Sequence, residues 1–142
     1  MPEPRATGRC LCGAVTFEVH GPLRDVVLCH CVECRHWSGT GAGAFSSATD
    51  ADLVVTGDAL TWIASPDSVR AAHRGFCASC GTSLFWKAPA LERTGIAAGT
   101  LDEPTGLRVA AHIYTHQVAD WDTLPEDGLP RDPDASFTPR WS

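Results

Sequence analysis

Seven cysteines fall into three clusters, Cys10-Leu11-Cys12, Cys29-His30-Cys31-Val32-Glu33-Cys34 and Cys77-Ala78-Ser79-Cys80. Thiols spaced this closely are metal ligands, zinc above all, and a closed zinc site takes four. Seven therefore reads as four plus three: one closed site, and one whose fourth position is left for a substrate.

The closed site is legible from its glycines. Cys10-x-Cys12-Gly13 and Cys77-x-x-Cys80-Gly81 are two knuckles, each followed by the residue that best tolerates positive φ where the chain curls back. Facing each other, they make a four-thiolate tetrahedral structural site that pins the long segment between them, with a folding contribution of about 10 kcal/mol.

Cys29-x-Cys31-x-x-Cys34 remains. Three thiolates on one turn cap one face of a metal. A second closed site, completed by His30 or His36, is the alternative. Zinc on three thiolates carries a net negative charge, so it is a weaker Lewis acid than zinc on three neutral histidines and favours a soft ligand over hydroxide. The natural substrate is a thiol. Cys31-Val32-Glu33 with the later Cys77-x-x-Cys80 also imitates a zinc deaminase signature, but that reading leaves Cys10, Cys12, Cys29 and Cys34 without a role.

The elements that must position these thiols are short strands. Thirteen glycines and ten prolines mark frequent turns. Residues 14–20 alternate, with Val15, Phe17 and Val19 on one face. Strands are further expected at 25–30, 41–47, 53–56, 60–65, 70–76, 83–87, 95–99 and 107–114, with a hairpin turn at Gly57-Asp58. Only 32–38 and 115–122 suit a helical turn. After Trp121 the Pro-rich acidic sequence predicts a loop grading into a tail. A single mainly-β domain is expected over 1–142.

The composition is 44% apolar and 20% charged, with a net charge of −6, which disfavours nucleic acid and anionic membrane as partners. An anionic substrate would need Arg35, Arg70, Arg74, Lys87 or Arg108. The first ten residues lack the apolar stretch of a signal peptide, and no run approaches a membrane span, so a cytoplasmic protein with reduced thiols is expected.

The runs GRCLCGAVTFEV, CHCVECRHWSG, RGFCASCGTSLFW, AGTLDEP and HIYTHQVADWDTLPEDGLPR resemble the glutathione-dependent formaldehyde-activating enzyme family, also called centromere-protein-V-like, over about residues 8–131. The resemblance leaves 1–7 and 132–142 as terminal tails. It implies a β-tent (Mss4-like) fold of several small curved antiparallel sheets around a zinc ribbon. It also implies two Zn²⁺: a structural ion on Cys10, Cys12, Cys77 and Cys80, and a more labile catalytic one on Cys29, Cys31 and Cys34. The implied activity is that of a carbon–sulfur lyase adding glutathione to formaldehyde to give S-(hydroxymethyl)glutathione. A non-catalytic zinc-binding interaction module, or action on another thiol or electrophile, is the alternative, and either a monomer or a homodimer is compatible.

Around the open site, Arg35 is the first candidate to pair a substrate carboxylate. Trp37, with Ser38 and Gly39, is expected to shape the pocket floor, and His36 to relay protons or sit in a solvated loop. His112 reads as a satisfied core histidine, and Trp121 as a lid or as packing over a sheet end.

Overall fold

The computed structural model describes residues 2–142. The strands are β1 (Ala6–Arg9), β2 (Thr16–Val19), β3 (Val26–Cys29), β4 (Gly43–Thr49), β5 (Leu53–Thr56), β6 (Leu60–Ala64), β7 (His73–Cys77), β8 (Ser83–Lys87), β9 (Arg93–Ala97) and β10 (Val109–Ile113). Among the described residues there is one α-helix, α1 (Val32–Ser38), between β3 and β4. The fold is mainly β, as expected, with the ten strands in two sheets.

The smaller sheet has the order β1-β2-β5, and the larger β10-β3-β4-β9-β8-β7-β6. All pairs are antiparallel except β10 with β3. The antiparallel expectation therefore fails at one edge. Residues 30–108 separate β3 from β10, a connection long enough for the crossover a parallel pair requires.

The two sheets bury one core. Val15, Phe17 and Val19, the inward face of the alternating segment, meet Leu84, Phe85 and Ile96 of the larger sheet. Phe17 meets Phe85 edge-to-face at 5.3 Å. Gly8 lets β1 close over this contact, because a Cβ there would lie 2.2 Å from the Phe17 ring. This strand lacks apolar alternation and overlaps the segment read as an N-terminal tail. Gly57-Asp58 is not a hairpin: β5 pairs with β2 and β6 with β7, so the chain changes sheets there. Gly57, at φ +122, passes so close to the Ala14 carbonyl that a Cβ would sit 2.1 Å from its oxygen.

The C-terminal segment is not free either. Leu23 and Ser142 exchange backbone bonds of 2.9 and 2.8 Å, and Asp25 N donates to Arg140 O at 2.8 Å. Pro130 and Asp132 bond the backbone of His112 beside β10. The fully buried Asp25 carboxylate meets Arg140 Nε at 3.3 Å and Arg108 Nε at 3.4 Å. An unpaired carboxylate at that depth would be costly, and arginines distant in sequence supply the partners.

Candidate metal centres and the cavity beside them

At the first cluster the sulfurs of Cys10, Cys12, Cys77 and Cys80 lie within 4.8 Å of one another. The Cys10–Cys12 and Cys12–Cys77 separations are 3.7 and 3.9 Å. Zinc–sulfur bonds in a tetrahedron put sulfurs about 3.8 Å apart, so the donor set fits that ion. Both glycines after the knuckles sit at φ +80. Thr82, which sequence reading passed over, joins the two knuckles: its Oγ1 accepts from Leu11 N at 3.0 Å and meets Cys80 Sγ at 3.1 Å. The Thr82 hydroxyl, helped by the backbone N–H groups of Cys12 and Thr82, draws the Cys80 thiol down to about 5. The only advance signal was its position two residues beyond Cys80.

The second cluster sits where β3 runs into α1. Cys29 ends the strand, Cys31 caps the helix by accepting from Cys34 N at 3.3 Å, and Cys34 lies in the first turn. Gly39, at φ +69, closes the helix with its N–H on Arg35 O. The sulfurs of Cys29, Cys31 and Cys34 again lie within 4.8 Å of one another, a fit for three ligands of a thiophilic metal. Among the described residues no further side chain joins them. Cys31 is drawn down to about 2 by the neighbouring Cys29 thiol, then by Cys34, the Cys34 backbone N–H and the charge of Arg74, while Cys29 is driven up by the Cys31 and Cys34 thiols and by burial.

Arg74 is the cation of this centre. It is 3% exposed, with Nη2 and Nη1 3.7 and 3.8 Å from Cys34 Sγ and Nε donating to Ser65 Oγ at 3.0 Å. Ser65 Oγ in turn donates to Glu33 Oε1 at 3.0 Å. Were the three thiolates to hold a divalent ion, this guanidinium would offset their excess negative charge. Trp37 backs the arginine, with its ring 6.0 Å from the guanidinium and edge-on to Phe76 at 5.8 Å.

A cavity of about 680 Å³ opens over the three thiols. Arg24, Arg70, Arg74 and Arg93 line it, a cationic corner on a chain of net charge −6. Arg35 and Trp37 are not among its lining residues; Arg35 Nε is buried without a hydrogen-bond partner, and Trp37 lies behind Arg74. Arg35, adjacent to Cys34, leaves the helix face that carries it, whereas Trp37, three residues on, keeps that face and meets the Arg74 guanidinium. Trp121, 70% exposed, packs near Gly41 and is likewise absent from the lining. His36 is exposed.

His30, between two cysteines, points elsewhere. Its Nε2 bonds His112 Nδ1 at 2.9 Å, and His112 Nε2 bonds Asp127 Oδ2 at 2.7 Å. His30 is 4% and His112 1% exposed. With Asp127 accepting from His112, His30 must donate, so the loop between Cys29 and Cys31 is tied to β10 in one ring orientation. The hydrogen bond from His112, then the Leu129 N–H, holds the Asp127 carboxyl below the usual carboxylate range. A carboxyl depressed on folding adds stability above its unfolded value of about 3.9, lost as pH falls through the folded value. Asp127→Asn is therefore expected to lower the melting temperature at neutral pH and to flatten the acid limb of stability. Thermal melts between about pH 7 and pH 2.5 check this; an unchanged acid limb would remove Asp127 from the network.

Residues 5–117 match the family model described as glutathione-dependent formaldehyde-activating enzyme. The chain is 32% identical over 83 residues to an uncharacterized lyase of Schizosaccharomyces pombe, covering 58% of each protein. It is 39% identical over 83 residues to a Halomonas elongata protein carrying the provisional name glutathione-dependent formaldehyde-activating enzyme, covering 55% of this chain and 53% of that one. The match thus spans a little over half the length of these relatives. A crystal structure of a Rhodobacter sphaeroides protein shares the fold, with a TM-score of 0.57 at 23% identity over 89% of this chain and 98% of that one.

Proposed function

The chain belongs to the glutathione-dependent formaldehyde-activating enzyme family, and from that premise we propose that it is a carbon–sulfur lyase joining a thiol, glutathione first, to formaldehyde at Cys29, Cys31 and Cys34. The observation that carries this reading is the three-thiol cluster opening, without a fourth protein donor among the described residues, onto a cavity lined by four arginines. The reaction balances simply: the sulfur forms a bond to the aldehyde carbon, and the sulfhydryl proton ends on the aldehyde oxygen.

Zinc held by these thiolates would supply a soft acceptor that lowers the pKa of a substrate thiol. The chain's own residues do the rest. Arg74 offsets the charge of the thiolates, so an anionic substrate can approach. The cavity walls hold the thiol in place, and because thiols add to formaldehyde unaided, the gain comes from proximity. The His30–His112–Asp127 chain keeps the cysteine loop in register. Among the described residues no helix is long and apolar enough to cross a membrane.

Two zinc ions per chain are expected, of which a chelator removes one while the fold survives. Exchange NMR on glutathione and formaldehyde should show hydroxymethyl exchange faster with the zinc-replete protein than in buffer. Background exchange despite saturable glutathione binding would instead make the chain a non-catalytic binding module, and a single zinc in fully reduced protein would overturn the partition into two sites.

A further inference from the structure

Addition of a thiol to an aldehyde makes one demand that proximity does not meet. Negative charge gathers on the carbonyl oxygen as the sulfur–carbon bond forms, and a proton donor must meet it there. The arginines of the cavity can bond that oxygen but do not give up a proton. Glu33 accepts from Ser65 Oγ, and His30 and His112 are bonded to each other.

Tyr114, the only tyrosine of the chain, is brought to the site by its backbone. Strand β10 ends at Ile113, in register with Cys29, and His30 N donates to the Ile113 carbonyl at 3.0 Å. Were the strand to continue, residue 114 would point to the face opposite Ile113. Instead Tyr114 sits at φ 52, ψ 42, a left-handed conformation uncommon for a bulky residue, and both side chains line the cavity. The surroundings fix that conformation. Tyr114 N donates to Asp134 O at 3.0 Å, Thr115 N to Asp132 O at 3.1 Å, and Gln117 N to Tyr114 O at 3.0 Å. Gln117 Oε1 accepts from Val32 N at 2.9 Å, so the turn that holds the ring is latched to the first residue of the cysteine-bearing helix. Backbone strain over-determined in this way clusters at functional sites.

The hydroxyl itself is uncommitted. It bonds no protein group among the described residues and is not sealed from the cavity. Burial holds the phenol above its ordinary value, and Arg70, Cys29, Cys31 and Asp134 are the charges around it. Adjacent strands lie about 4.8 Å apart, a gap that a tyrosine ring spans.

We propose that Tyr114 is a catalytic residue whose hydroxyl donates to the aldehyde oxygen and protonates it as the thiol adds. This rests on the thiol reading above and supplies its proton donor. The sulfur lone pair forms the bond to carbon, the carbonyl π pair moves onto oxygen, and the phenolic proton completes the alcohol. The phenolate then takes up the proton that the thiol gave to water, so the sum is thiol plus aldehyde to the S-hydroxymethyl adduct.

Tyr114→Phe keeps the ring and removes only the hydroxyl. In exchange NMR on the full zinc-loaded chain, its maximal rate of hydroxymethyl exchange above buffer should fall roughly a hundredfold. Zinc content and the half-saturating glutathione concentration should stay as in the wild type. Because the chain has a single tyrosine, growth on meta-fluorotyrosine alters this hydroxyl alone. A stronger acid of nearly the same shape, it should raise the maximal rate at pH values where it stays protonated, which a packing role would not do. A wild-type maximal rate in Tyr114→Phe would overturn the proposal and leave thiol addition standing. Loss of zinc or glutathione binding in that variant, or an unmoved rate in the fluorotyrosine protein, would overturn it equally. Wild-type exchange no faster than in buffer would remove the thiol reading itself, and this role with it.

Discussion

Cys80→Ala is expected to unfold this protein, whereas Cys31→Ala leaves a cooperatively melting domain that has lost its activity. Cys10 and Cys12 follow β1 of the small sheet, while Cys77 ends β7 of the large one and Cys80 follows it. A metal on those four sulfurs is thus a cross-link between the sheets, while Cys29, Cys31 and Cys34 all lie on one turn and cross-link nothing distant. A structural site of this kind contributes about 10 kcal/mol or more, comparable with the net stability of a whole domain. Circular dichroism melts with zinc analysis on both variants check the assignment. Soluble, cooperative Cys80→Ala alongside unfolded Cys31→Ala would reverse the roles.

Arg74→Met is the second large effect. The side chain is buried and makes three contacts, two to Cys34 Sγ and one to Ser65 Oγ. Without the cation, three thiolates and their metal are left with an uncompensated negative charge in a partly buried pocket. Removing one partner of such an arrangement costs about 3 kcal/mol, and losing a group that supports metal ligands weakens metal binding roughly tenfold to a hundredfold. Competition with a chromophoric chelator should therefore find one zinc selectively loosened, and thiol addition to formaldehyde should fall to background. Arg74→Lys should recover part of the affinity, since a point charge remains without the fork. Unchanged zinc affinity in Arg74→Met would show that the contact with Cys34 is only packing.

The seven cysteines and their spacing announced two groups of sulfurs, because ligands on one turn are fixed by local geometry. Gly13 and Gly81 marked the knuckles for the same reason. The alternation of Val15, Phe17 and Val19 announced a half-buried strand, and 32–38 a helical turn. Arg35, next to Cys34 in sequence and the first candidate to pair a substrate carboxylate, is not among the residues that line the cavity. The cations that line the cavity come from the segment before β3 (Arg24), from β7 (Arg74), from β9 (Arg93) and from the loop before β7 (Arg70).

By itself, then, the sequence determined the local facts: which thiols share a turn, where the backbone needs glycine, which strand faces inward, and a family resemblance carried by contiguous motifs. Tertiary structure alone decided which distant groups meet. The register of β3, β4 and β9 brings Arg24 and Arg93 to Ser47. The docking of residues 130–142 against Leu23, Asp25 and His112 turns a segment with no periodic pattern into the far wall of the cavity, with Phe137, Pro139 and Trp141. Periodicity reports burial along one element, and buried charges report only that partners must exist. Which partners they are depends on strand order and register, which no local run of residues encodes.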